Sequence, residues 1–173
     1  MQTAILGGGC FWCVEGVFSR AKGVQSALSG YAGGQNPNPT YEQICTGTTG
    51  HAEVVKIDFD ENVITYEDVL EIFFEIHDPT TLNQQGGDRG TQYRSVIYYL
   101  NDEQRDAAEA KILELQKTLG LPVVTELSPK PEFFDAEAYH QDYLTHNPAQ
   151  GYCQAVVAPK VQKFMMKFKE FIK

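Results

Sequence analysis

The segment Thr3-Ala4-Ile5-Leu6-Gly7-Gly8-Gly9-Cys10-Phe11-Trp12-Cys13-Val14-Glu15 runs from a short apolar stretch, through a glycine turn, into a helical pattern. Thr3 to Leu6 reads as a buried strand that the glycines end. From Phe11 onward, apolar Val14, Val17 and Phe18 fall at helical spacing, with Arg20 and Lys22 near the end and Gly23 as the expected C-cap. The start of a helix presents unpaired N–H groups and the positive end of the macrodipole, so Cys10 is expected to ionise more readily than a free thiol. The glycines let the backbone turn tightly and leave the sulfur approachable. A glycine turn ahead of a buried structural cysteine is the alternative.

Outward from this junction, strand and helix patterns interleave. Val24 to Tyr31 reads as a strand, and Ala32 to Pro39 as a turn-rich loop that delivers Tyr41 and Cys45. Val55, Ile57 and Phe59 alternate with Lys56 and Asp58, which marks a half-buried strand with Glu53 at its entrance. Val69, Leu70, Phe73, Phe74 and Ile76 place a core helix over Tyr66 to His77, stopped by Asp78-Pro79. Thr80 to Thr91 is a long polar loop holding Asp88, a candidate functional loop. Gln92 to Leu100 alternates again. Asn101 to Gly120 carries both helix boundary signals, and Val123 to Leu127 reads as a strand. Ala136 to Leu144 is helix-like, Gly151 to Cys153 reads as an exposed segment, and Pro159 opens an amphipathic helix through Ile172. No repeat or interdomain linker interrupts this, so residues 1–173 read as one α+β domain, a sheet covered by helices.

A chain of 173 residues can bury about 70% of its unfolded surface without a disulfide scaffold. No apolar run approaches bilayer length, and a membrane-surface role for the C-terminal helix is less economical than docking on the core. The formal net charge of −9 argues against non-specific nucleic-acid binding. Four irregularly spaced cysteines, one pair in C-x-x-C, fit redox or catalytic thiols in a reducing compartment. The chain enters a strand-like segment directly after Met1, so the cytoplasm is the expected location.

Cys10, Tyr41, His51, Glu53, Asp88, Tyr93, His140, Asp142 and Cys153 fall at element boundaries, where sites are usually built. Each also has an ordinary structural reading. Cys10 with His140 and Asp142 would suit a Cys-His-Asp hydrolase, but the sequence shows no means of bringing them together. Cys10-x-x-Cys13 lacks the partner pair of a zinc site, and the glycines lack the Gly-Lys-Ser/Thr ending of a P-loop. Thiol chemistry remains. A C-x-x-C at a helix start after a strand is also the thioredoxin-like arrangement, so a disulfide oxidoreductase using Cys10 and Cys13 is the competing reading.

The pattern Gly8-Gly9-Cys10-Phe11-Trp12, Tyr41-Glu42-Gln43-Ile44-Cys45, Gly47-Thr48-Thr49-Gly50-His51-Ala52-Glu53, Gly87 to Ser95, Tyr139 to Leu144 and Gly151-Tyr152-Cys153 closely resembles the methionine sulfoxide reductase A family, the peptide-methionine (S)-S-oxide reductases. The blocks run in the family's order across nearly the whole chain. The resemblance implies a two-layer α+β sandwich with a mixed sheet and a split β-α-β, ferredoxin-like core carrying long functional loops. It implies reduction of methionine S-sulfoxide, free or in proteins, in protein repair under oxidative stress. Cys10 is implied as the nucleophile that becomes a sulfenic acid, and Glu53 as a buried, protonated acid, with the Tyr41 and Tyr93 hydroxyls on the same oxygen.

Phe11 and Trp12 are implied to hold the substrate methyl group, Asp88 to support the site, and His51 and His140 to assist. The sulfenic acid is to be resolved as an intramolecular disulfide. Cys153, in a Gly-flanked segment expected to swing, is favoured for that role, with Cys13 as alternative or relay, and Cys45 as a buried packing thiol. Thioredoxin is the implied reductant, no metal or organic cofactor is called for, and a monomer is expected.

Overall fold

The computed structural model describes residues 1–173. β1 (Gln2–Gly7) leads through the glycines to α1 (Phe11–Phe18), followed by β2 (Val24–Ala32), α2 (Tyr41–Cys45), β3 (Ala52–Phe59) and α3 (Tyr66–Glu75). A short hairpin of β4 (Gln84–Gln85) and β5 (Asp88–Arg89) precedes β6 (Val96–Tyr99), α4 (Asp102–Leu119), β7 (Glu126–Pro129), β8 (Phe133–Asp135), α5 (Tyr143–His146) and α6 (Ala158–Lys167). Six strands form one mixed sheet in the order β7-β6-β1-β3-β2-β8, with β6 and β7 parallel and the other neighbours antiparallel. The fold is α+β.

Strand alternation decides which residues meet the helices. Ala4, Leu6, Val55, Ile57 and Phe59 join the main core with buried residues of α1, α3 and α6. Ile5 and Val54, out of phase by one, pack with Val96 and Tyr98 in a smaller cluster on the opposite face. α3 starts at a capping box, in which Thr65 accepts the Asp68 N–H at 3.1 Å, and it buries Val69, Leu70 and Phe73. α4 opens on the Asn101 cap and closes at Gly120, left-handed with φ 67°. No helix is long and apolar enough to cross a membrane.

Local readings fail where distant groups supply the hydrogen bonds. α1 ends at Phe18 with Ser19 as its C-cap, not at Gly23, because the next turn is tied to the C-terminus through an Ala21–Ile172 antiparallel bridge. The β6 strand begins only at Val96, and Thr91–Tyr93 forms a 3₁₀ turn before it. Ala136 to Leu144 is not one helix. β8 pairs with β2 ahead of it, a 3₁₀ turn covers Ala138–His140, and Asp142 is left-handed with φ 54° and ψ 41° before α5. Gln141 explains the break: its side-chain amide accepts the Ser29 N–H and donates to the Ser29 carbonyl, each at 2.9 Å, extending the β2 edge where a helix would turn away.

The segment around Cys153 is not an exposed, swinging loop. Cys153–Val157 is a π-helical stretch continuous with α6, and Cys153 is 0% exposed. Pro159 has no N–H for the carbonyl four residues back, and the widened turn absorbs that mismatch.

Candidate active site

Cys10 ends the glycine turn as the N-cap of α1 and is 8% exposed. Of the preceding glycines only Gly9 needs left-handed backbone, with φ 81°. The other two are demanded by close packing: a Cβ would lie 2.6 Å from the Glu53 carbonyl oxygen at Gly7 and 2.8 Å from the His77 ring at Gly8. His77 cannot easily yield. Its Nδ1–H donates to the Phe73 carbonyl at 2.6 Å, and its Nε2 accepts from the Ser95 hydroxyl at 2.8 Å. The turn is therefore pressed between β3 and a fixed imidazole, which sets where the sulfur sits.

Glu53 occupies the second position of β3, not its entrance, and is 1% exposed. Its Oε1 accepts the Phe11 N–H at 3.1 Å, the first free amide of α1, so the acid and the thiol hold the same helix end. Burial raises Glu53 to about 8, opposed by the Phe11 hydrogen bond and reinforced by Asp88. At neutral pH it is predominantly a carboxylic acid. Burial also pushes the Cys10 thiol well above its ordinary value, with Glu53 and Cys13 adding to the effect and the Trp12 backbone N–H opposing it. The readily ionised thiolate expected from the helix start is therefore not the resting state: desolvation outweighs the short helix's dipole.

Two phenols complete this cluster. Tyr41 opens α2, where its N–H donates to Glu137 Oε2 at 2.8 Å, while Glu137 Oε1 accepts the Tyr31 hydroxyl at 2.9 Å. Tyr31 lies directly across the ladder from Glu53. Tyr93 ends the 3₁₀ turn, and its carbonyl accepts the Gly9 N–H at 3.1 Å. Arg94 ties that turn to the approach of β3 by donating to the carbonyls of Thr91 at 2.8 Å and Gly50 at 2.9 Å. Both hydroxyls are raised, first by burial; the Glu53 charge contributes at each, and Asp88 and Cys10 contribute at Tyr93. Asp88, on β5, accepts a hydrogen bond from the Tyr152 hydroxyl.

Trp12 is half-buried and clasped by aromatic side chains. Its ring stacks on Tyr143 at 3.7 Å and 3°, meets Tyr152 edge-on, and its Nε1–H donates to His140 Nδ1 at 3.1 Å. Phe11 is 1% exposed, packed between Tyr31 and His140, and so backs the site from inside. Beyond Asp88 and Tyr152, a groove of about 720 Å³ continues past His77 and Gln85 toward Leu119 and Lys160.

The four cysteines are free thiols. Cys13, on the inner side of α1, is 1% exposed and raised to about 11 by burial, with Cys153 among the charges acting on it. Cys45 is exposed, lies close enough to Tyr41 to help raise that phenol, and is not a packing thiol. α2 has only five residues and buries only Ile44, so Cys45 falls on its outer side. His51 does not face the cluster. Its Nδ1 accepts the Gly34 N–H at 3.0 Å and its Nε2 donates to the Asn36 carbonyl at 2.6 Å, so both nitrogens are used in pinning the loop after β2. It is a structural staple and not a substrate-binding group.

The structure thus brings Cys10, Glu53, Tyr41, Tyr93 and Asp88 together, with Trp12 beside them. Tyr143, Tyr152, Glu137 and Arg94 were not singled out from the sequence; Tyr143, Tyr152 and Arg94 carry the signal of lying in the quoted blocks, and Glu137 carries none. No three His, Cys, Asp or Glu side chains converge in a metal-binding group. A thiol facing a neutral carboxylic acid and two phenols suits nucleophilic attack on an atom whose oxygen must be protonated before it leaves.

A family model described as peptide methionine sulfoxide reductase matches residues 2–171. The chain is 58% identical over 173 residues to peptide methionine sulfoxide reductase MsrA of Saccharolobus solfataricus, covering 100% of this chain and 98% of that one. Among solved structures, Mxr1 of Saccharomyces cerevisiae in reduced form matches with a TM-score of 0.80 at 36% identity, covering 88% of each chain. The same yeast protein in complex with Trx2 matches with a TM-score of 0.56 at 26% identity, over 82% of this chain and 84% of that one.

Proposed function

The chain belongs to the peptide methionine sulfoxide reductase family of oxidoreductases, and from that premise we propose that it reduces methionine S-sulfoxide, free or in proteins, through Cys10. The single observation that carries the reading is Glu53: a buried acid raised to about 8, sharing the α1 terminus with the Cys10 backbone. Sulfoxide oxygen leaves poorly until protonated. Glu53 supplies the proton, and the Tyr41 and Tyr93 hydroxyls donate to the same oxygen as the S–O bond weakens. Cys10 sulfur attacks the substrate sulfur; oxygen passes to Cys10, whose thiol becomes a sulfenic acid, and the sulfoxide is reduced to methionine. The Cys10 thiol proton passes to Glu53 as Glu53 protonates the sulfoxide oxygen; that oxygen and its proton end on Cys10 as the sulfenic acid, and Glu53 finishes neutral as it began. Trp12, backed by Phe11, walls the methyl pocket, and Asp88 holds Tyr152 against it.

A second thiol then condenses with the sulfenic acid, forming a disulfide and releasing water. Cys13 takes this step, with Cys153 next, which reverses the order favoured from the sequence. Two observations support this order: Cys153 is fully buried in a helical stretch, and it acts on the titration of Cys13 whereas Cys13 acts on that of Cys10. Thioredoxin is the reductant in this proposal, supported by the crystal structure of the yeast relative in complex with Trx2. The proposal takes residues 1–173 as a single, monomeric catalytic domain in the cytoplasm, needing no metal or organic cofactor. It also reads the fold as a two-layer sandwich on a split β-α-β core, supported by the order β6-β1-β3-β2 with α1 joining β1 to β2.

Mass-spectrometric mapping of the disulfide after one turnover on an S-sulfoxide tests the scheme. A Cys10–Cys13 bond is expected first, and Cys10→Ser is expected to abolish turnover. Near-normal turnover by Cys10→Ser, or activity only on a generic disulfide such as insulin, would overturn it.

A further inference from the structure

α1 buries a glutamate that the proposed chemistry does not use. Glu15 is 3% exposed, on a helix whose other buried residues are apolar or glycine. A carboxylate in that position needs a compensating partner. Its Oε1 accepts the backbone N–H of Asp142 at 3.0 Å, and the Arg20 charge lies near enough to act on it.

The partner is a special position. Asp142 is left-handed, with no side-chain cap of its own, and it turns the chain from the 3₁₀ turn at His140 into α5. Each residue around it is held by a different contact. His140 accepts the Trp12 indole N–H, Gln141 pairs with Ser29, and Tyr143 lies flat on the Trp12 ring. Glu15 belongs to the same helix as Trp12 and lies one turn further along it, so its contact references the turn at Asp142 directly to the indole.

We infer that Glu15 is a positioning residue for the methionine pocket, holding Asp142 N–H so that Tyr143 stays stacked on Trp12; the inference rests on the reading of Trp12 as a wall of that pocket. When the acceptor is withdrawn, Asp142 relaxes toward ordinary backbone angles and Tyr143 leaves the indole.

Trp12 is the chain's one tryptophan, so emission excited beyond the tyrosine band reports on the surroundings of this single indole, the Tyr143 stack among them. The test compares Glu15→Leu, which removes the acceptor, Glu15→Asp, which withdraws it by a methylene, and Glu15→Gln, which retains an acceptor oxygen. The Leu and Asp variants are expected to shift the emission of Trp12 and to raise KM for methionine S-sulfoxide about tenfold, with kcat held within about threefold. The Gln variant is expected to restore both. If the Leu variant does not fold, the Asp variant carries the comparison. Unchanged emission and KM in a folded Leu or Asp variant, or a Gln variant as impaired as they are, overturns the inference. Trp12→Phe separates the two readings: a raised KM there with unaffected Glu15 variants removes only the role of Glu15, whereas an unchanged KM removes the pocket reading and the inference with it.

Discussion

At Glu53 the competition between burial and hydrogen bonding has a functional outcome. The Phe11 N–H favours the charged carboxylate, but desolvation prevails and the group is held near 8, so it carries its proton at neutral pH. Glu53→Gln is therefore expected to slow single-turnover sulfoxide reduction by about 10²- to 10³-fold with a small effect on KM. The wild-type chemical step should also weaken as pH rises through about 8, and that limb should vanish in the Gln variant; stopped-flow rates across pH 6 to 9 check both. His51 belongs to a different kind of residue, since its two ring nitrogens are spent on the backbone of Gly34 and Asn36. His51→Ala is expected to lower the unfolding free energy by about 2 kcal/mol in urea titration, as two backbone groups lose their partner. Its motif block was legible in the sequence, but which way the imidazole faces was not, because the loop that covers it lies elsewhere in the chain.

Among the elements, the long ones were readable and the short ones were not. β1, α3 and α4 follow from apolar periodicity and capping residues adjacent in sequence. β8 and α5 are four residues or fewer, and their form is set by remote partners, Gln141 at Ser29 and Glu15 at Asp142, whereas the five-residue α2 has a local Thr40–Gln43 capping box beside its remote tie to Glu137. The glycine turn shows the same dependence. The sequence suggested glycines that turn tightly and leave the sulfur approachable, whereas Gly8 is small because the His77 ring, just after α3, lies against it. Gly8→Ala is expected to cost about 2–3 kcal/mol of stability and to reduce turnover more than Cys45→Ser does, since it displaces the Cys10 turn. Chemical denaturation and a turnover assay on the same preparations check this.

For the molecule as a whole, the buried titratable groups set how stability follows pH. Glu15 is raised to about 7 and Glu53 to about 8, so the folded state binds protons that the unfolded state has released above pH 4.5; their contribution is full at low pH and is lost as pH rises through those values. His77, lowered to about 4, and His140, also lowered, act oppositely below about 6.5, where the unfolded state binds their protons. Above 6.5 the histidines drop out. Unfolding free energy is therefore expected to fall by about 2 kcal/mol between pH 6.5 and 8, and Glu53→Gln to remove the larger part of that fall, as measured by urea titrations at each pH. By itself the sequence determined the α+β class, the long elements, the thiol at a strand-to-helix junction and the family-like blocks, because periodicity, caps and motifs are written in neighbouring residues. Only the tertiary structure decided that Cys10 rests as a buried thiol, that His51 is a staple, that Cys45 is exposed, and that Cys13 and Cys153 are both buried. Those outcomes depend on desolvation and on hydrogen bonds between residues far apart in sequence, and neither exists until the sheet and helices have closed on one another.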